Sequence, residues 1–224
     1  MASVGIIEQA ITAAGFAARG IVRLAGDERV GPLHGMRSLA LIGFAGRRGW
    51  DSFTRSPEAG DGLPDPLDRW SRREIDRLAA RLGAVAIYPF GGAPFWPFQR
   101  WGQRAELLYP SPLGLLIHPE HGLWHSYRGA LAFAQEFALP EHGDAPSPCD
   151  SCRNRPCLSA CPVDAFGASG YDVGGCADWL RTAGGTTCME RGCKARLACP
   201  IGRESAHRPD QAAFGMKAFL AARD

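Results

Sequence analysis

The chain has 224 residues, a formal net charge of +2 and 46% hydrophobic residues, values that exclude disordered and fibrous classes. Its 25 Lys and Arg against 23 Asp and Glu form no basic tract of the kind that marks nucleic-acid binders. No apolar run approaches the roughly 18 residues needed to span a bilayer, and the N-terminus lacks the basic-then-apolar pattern of a secretion signal. The expectation is a cytoplasmic protein with no membrane and no nucleic-acid partner.

Ser3 is a good N-cap for a helix over 4–14, whose apolar positions Val4, Ile7, Ile11 and Ala14 recur at helical spacing before Gly15. Strands are expected over 16–24 and over 38–44, the second apolar almost throughout, as in a strand covered on both faces. Residues 45–64 carry Gly, Arg, Ser and Pro and read as a loop. Asp65-Pro66 opens a helix over 66–82, closed by Gly83. A strand over 84–88, a Gly/Pro/aromatic loop over 89–97 and a helix over 97–108 follow. Strands over 113–117 and 124–133 are joined by a turn-like link at 118–122. Residues 140–148 form a linker, and 209–222 a terminal helix. The pattern predicts an α+β fold with a central sheet flanked by helices, followed by a small ferredoxin-like iron–sulfur module. The expected domains are 1–145 and 146–224.

All eight cysteines lie from Cys149 to Cys199. The first group is Cys149-x2-Cys152-x4-Cys157-x3-Cys161-Pro162. The second is Cys176, then Cys188-x4-Cys193-x5-Cys199-Pro200. Disulfides need an oxidising compartment that nothing here indicates. Zinc usually pairs two Cys-x2-Cys knuckles, and only one is present. The pattern comes nearest to the bacterial ferredoxin run Cys-x2-Cys-x2-Cys-x3-Cys-Pro, whose fourth cysteine ligates the other cluster. Two gaps are longer than in that run, Cys152 to Cys157 and Cys193 to Cys199, which leaves open whether both sites are complete. On the ferredoxin pattern, two [4Fe–4S] clusters would interleave their ligands: Cys149, Cys152, Cys157 and Cys199 for one, Cys161, Cys176, Cys188 and Cys193 for the other.

Four cysteines, one isolated cysteine and three ending in Cys-Pro resemble the ferredoxin module of epoxyqueuosine reductases and corrinoid reductive dehalogenases, where it follows a cobalamin-binding domain of nitroreductase-like fold. The segments Ala13-Ala14-Gly15-Phe16 to Gly20-Ile21-Val22 and Pro89-Phe90-Gly91-Gly92-Ala93-Pro94 resemble parts of that domain. Ile117-His118-Pro119-Glu120-His121-Gly122-Leu123-Trp124 to Arg128-Gly129, and the helix start Asp65-Pro66-Leu67-Asp68, are similar to stretches of the cobalamin-processing chaperone of the cblC type. The resemblance implies two [4Fe–4S] clusters, a corrinoid bound base-off, and an electron-donor protein as partner.

The departures narrow the activity. Gly91 stands where epoxyqueuosine reductases place an acidic proton donor. Few residues follow Cys199 to form that family's tRNA-binding tail, so the expectation is against tRNA modification. Glu120 replaces the chaperone's arginine, which argues against glutathione as reductant. The expected reaction is reductive removal of the cobalamin upper ligand, by decyanation or dealkylation. The corrinoid pocket is expected at Trp101, Tyr109, His118, His121, Trp124 and His125, although core packing is the better explanation of the aromatic residues. The alternatives are a ferredoxin-type electron carrier for a partner enzyme, with no corrinoid of its own, and a zinc-stabilised scaffold.

Overall fold

A computed structural model of the chain describes residues 3–139, 143 and 145–223, so residues 140–142 and 144 of the expected linker lie outside the described residues. The chain divides into two compact units: 1–107 with 126–144, and 108–125 with 145–224. Residues 108–125, counted with the first part on sequence grounds, therefore group with the cysteine part.

In the first unit, helix α1 (Val4–Ala13) starts at Ser3, whose hydroxyl accepts the Ile6 N–H at 3.4 Å. Strand β1 (Ala17–Arg23) pairs antiparallel with β2 (Ser38–Ala45). Helix α2 (Trp50–Thr54) comes next, then α3 (Pro66–Leu82), β3 (Val85–Ile87) and α4 (Phe98–Ala105). The main sheet runs in the order β1-β2-β6-β3, with β3 antiparallel to β6 (His125–Phe133).

Strand β2 is buried along nearly its whole length because both faces are covered, as its unbroken apolar sequence predicts. Leu39 and Leu41 join a cluster with Val22, Leu24, Ile87, Phe98 and Trp101. Phe44, whose side chain is on the opposite face from Leu39 and Leu41, meets Phe16 and Trp70 at ring separations of 6.0 Å each.

Three local expectations are corrected. Residues 45–64 contain α2 and a 3₁₀ turn at 57–59. Burial of Trp50 and Phe53 overrides the loop-forming composition, and Phe53 lies 5.9 Å from the Trp70 ring. Asp65 precedes α3 in a left-handed conformation (φ 50°) and makes no side-chain cap. The strands expected on either side of 118–122 belong to different sheets. Leu116–Ile117 (β5) pairs only with Tyr109–Pro110 (β4), whereas β6 lies in the main sheet.

β1 carries a bulge. Ala18 faces Ile42 and Ile21 faces Ala40, so three steps on one strand oppose two on the other. The bulge turns Arg19 inward, where it is 1% exposed. Its guanidinium donates to Glu106 at 2.8 and 2.7 Å and to the Phe44 carbonyl at 2.8 Å. Such bidentate geometry, with a further acceptor, is what a buried charge pair needs to offset its desolvation. Gly20 is required beside it: φ is +75°, and a Cβ would lie 2.7 Å from the Ala105 carbonyl oxygen.

The second unit is built from short pieces. After β4 and β5 come α5 (Pro156–Ser159), the pair β7 (Phe166–Gly167) and β8 (Gly170–Tyr171), α6 (Val173–Leu180), α7 (Thr186–Arg191), α8 (Lys194–Leu197) and α9 (Pro209–Ala221). Its core holds Leu113, Ile117 and Leu123 together with Cys157, Cys199 and Ala195. That shared apolar core explains why 108–125 groups with the cysteines. Among the described residues, no helix is long and apolar enough to cross a membrane.

Candidate metal centre

Each cysteine is held by a turn or a short helix. Cys157 lies in α5, Cys176 in α6 and Cys188 in α7, while Cys193 precedes α8 and Cys199 follows it. All eight are free thiols. Cys157, Cys188 and Cys199 are buried and the other five partly so.

Their electrostatics sort them. Burial pushes the Cys157 thiol up, and Cys199, Cys149 and Cys152 raise it further. Cys149 is raised by burial, then by Cys199 and Cys152. Cys176 is raised by burial and then by Cys161 and Cys188, and Cys193 by burial and then by Cys176 and Cys161. Cys149 and Cys157 thus feel Cys152 and Cys199, whereas Cys176 and Cys193 feel Cys161, and Cys188 also acts on Cys176. Apolar cover and neighbouring thiolates both oppose ionisation, and a bound multivalent metal centre relieves both.

Donors aim at several sulfurs. The Ala165 N–H reaches Cys161 Sγ at 3.4 Å. The backbone N–H groups of Ala195 and Arg196 bond Cys193, and the Tyr171 hydroxyl bonds Cys176. Such bonds stabilise thiolate and tune a cluster held by it. The donor set therefore fits iron–sulfur ligation. Among the described residues, no group of three His, Cys, Asp or Glu side chains is gathered closely enough to hold a metal ion.

Two of the residues expected to line a corrinoid, Trp101 and Trp124, are buried side chains. Trp101 is fully buried in the first unit's core, and its indole N–H donates to Glu28 at 2.7 Å. Trp124 is buried in the second unit, with the Arg196 guanidinium 4.4 Å from its ring centroid. Neither offers a free face to a macrocycle. Tyr109 donates its hydroxyl to the Ala145 carbonyl at 2.5 Å.

The three histidines do come together. His118 and His121 stack at 4.7 Å, and His125 meets His118 edge-on at 6.3 Å. His118 Nδ1 accepts the backbone N–H groups of Glu120 and His121 at 3.0 and 3.1 Å. The His118–Gly122 bridge makes this turn tight. A Cβ on Gly122 would lie 2.1 Å from the Ile201 carbonyl oxygen, so the turn presses on the segment that follows Cys199-Pro200.

Sequence reasoning passed over Arg196 and His207, which meet at Trp124. The Arg196 guanidinium donates to the Leu123 carbonyl at 3.2 and 2.5 Å, and the His207 ring lies 5.1 Å from the Trp124 ring. The available signal was Arg196 itself, a cation inside the lengthened gap between Cys193 and Cys199.

No family model and no curated protein matches this chain. Solved structures do. Epoxyqueuosine reductase from Streptococcus thermophilus is 16% identical over 92% of this chain and 69% of its own, with a TM-score of 0.56. A selenomethionine-labelled epoxyqueuosine reductase gives 15%, 92%, 68% and 0.56. A third epoxyqueuosine reductase, solved with an epoxyqueuosine-modified tRNA-Tyr stem loop, gives 16%, 92%, 69% and 0.55. That complex corrects the expectation of no nucleic-acid partner. A net charge of +2 averages over the whole surface and does not exclude a local phosphate-binding face. The mixed α/β fold of this chain, with its four-stranded sheet and flanking helices, is similar to the epoxyqueuosine reductase fold.

Proposed function

We propose that this chain is a two-cluster iron–sulfur oxidoreductase acting on a modified nucleoside in an RNA stem loop. The observation that carries the redox half is the sorting of eight free thiols into two electrostatically coupled sets of four. Cys149, Cys152, Cys157 and Cys199 would hold one [4Fe–4S] cluster, and Cys161, Cys176, Cys188 and Cys193 the other. Bound clusters supply electrons one at a time.

The RNA half is supported by the fold likeness to the stem-loop complex. Composition is compatible with it: 23 of the 25 basic residues are arginine, the side chain best shaped for phosphate. The second reading is reductive removal of a cobalamin upper ligand. It is favoured by Gly91, which brings no carboxyl to the place where the resemblance puts a proton donor. Against it, Trp101 and Trp124 are buried and offer a macrocycle no free face.

Anaerobically reconstituted protein should hold about eight iron and eight sulfide per chain and give the visible and EPR spectra of cubanes. It should bind an epoxyqueuosine-modified stem loop more tightly at low salt than at high. Zinc in place of iron sinks the redox reading. Cubanes with no stem-loop binding, but a reduction-dependent shift in the spectrum of added cobalamin, favour the second reading.

A further inference from the structure

The loop that follows β3 brings a cation and an exposed aromatic side chain together. Asp68 and Asp76 lie four positions before and four after Arg72 on α3, the spacing at which a helix pairs opposite charges. Both carboxylates are engaged elsewhere. Asp68 accepts from Arg128, and Asp76 accepts from the Tyr88 hydroxyl at 2.5 Å. The Arg72 guanidinium forms no ion pair among the described residues. It lies instead over the Tyr88 ring, 4.2 Å from the centroid, with the Phe90 ring at 5.5 Å.

Gly91 brings the loop against this cation: a Cβ there would lie 3.1 Å from Arg72 Nη2, and φ is +95°. Residues 91–95 are all exposed. Phe95, at their end, is 84% exposed, the most exposed large apolar side chain among the described residues. Four residues span at most about 14 Å, so a single bound strand reaches both Phe95 and Arg72. A lone exposed phenylalanine asks for no partner. One that neighbours an unpaired guanidinium presents the two contacts that a single strand of nucleic acid uses: a ring for a base and a fork of N–H donors for a phosphate.

We propose that Arg72 and Phe95 form a contact surface for the unpaired loop of an RNA stem loop, with Arg72 binding a backbone phosphate and Phe95 stacking on a base. The inference rests on the RNA half of the proposed function and states where the strand lies. Tyr88 holds one face of the guanidinium and leaves its N–H edge for phosphate oxygens. The Asp76 bond fixes Tyr88 in turn, so less side-chain freedom is lost when phosphate arrives. Bases in an RNA loop are unstacked and lie on an aromatic ring whatever their sequence.

The test is binding of a fluorescently labelled, epoxyqueuosine-modified tRNA-Tyr stem loop to reconstituted full-length protein over a series of salt concentrations. In Arg72→Gln the slope of log K against log salt should flatten by about 0.7 to 0.9, the equivalent of one phosphate contact. Arg72→Lys should keep the wild-type slope. Phe95→Ala should weaken binding at least about fivefold at fixed salt with no change of slope, and Phe95→Tyr should stay within about threefold of wild type. Arg81→Gln removes an exposed arginine from the far end of the same helix and should leave the slope unchanged. A wild-type slope in Arg72→Gln, wild-type affinity in Phe95→Ala, or equal flattening in Arg81→Gln overturns the proposal and leaves the RNA reading in place. Loss of added cobalamin, and not of the stem loop, from the two variants overturns it in favour of a corrinoid on this face. Wild-type protein that binds no stem loop at low salt defeats the RNA reading itself, and this inference with it.

Discussion

Glu58 links a single side chain to acid stability. Its carboxylate receives two bonds from Arg73, at 2.5 and 2.9 Å, and these hold its pKa down at about 2 against an ordinary 4.5. A depressed carboxylate stabilises the fold fully above the unfolded value and loses that contribution as pH falls toward the folded one. The melting temperature of the wild type should therefore fall more steeply between pH 4.5 and about 2 than that of Glu58→Gln. Thermal melts across that window check this, and parallel curves refute it. Nothing in the local sequence marks Glu58, because Arg73 lies fifteen positions away on α3. Trp101 and Trp124 teach the complementary point. An aromatic side chain looks the same in sequence whether it faces a cofactor or a core, and only packing separates the two uses.

Among the elements, α3 was legible in its bounds: Pro66 at its first position and Gly83 in left-handed geometry at its end are backbone preferences that act locally. Helix α2 was not, because its buried Phe53 packs against Trp70, a non-local partner. The bulge in β1 was equally hidden. Gly20→Ala tests it: the new methyl meets the Ala105 carbonyl oxygen, and φ is positive. The cost should be about 2 kcal/mol, a fall in melting temperature of roughly 4–8 °C for a chain of this size. Unchanged stability would mean that the bulge relaxes freely.

The two units of the whole molecule differ in what stabilises them. The first has a sheet with apolar clusters on both faces. The second has short helices and cysteines that sit inside its apolar cluster. On the two-cluster reading, Cys157→Ala should lower bound iron from about eight to about four per chain and leave one cluster's EPR signal. Iron analysis with EPR decides this; loss of all iron, or of none, would contradict the proposed ligand sets. The same scale exposes the weakness of net charge as an argument. It summed the whole surface and argued against nucleic acid, while a fold neighbour at 16% identity was solved with a tRNA stem loop.

The amino-acid sequence by itself determined the capped helices, the doubly covered strand β2 and the two cysteine groups, because caps, periodicity and ligand spacing are properties of neighbours along the chain. Tertiary structure alone decided that 108–125 joins the cysteine unit, that the three histidines converge, and that Arg196 lies against Trp124. The first and the last depend on burial shared between distant segments, which leaves no periodic mark in the segments themselves, and the second on a tight turn whose closure the spacing of the histidines does not encode.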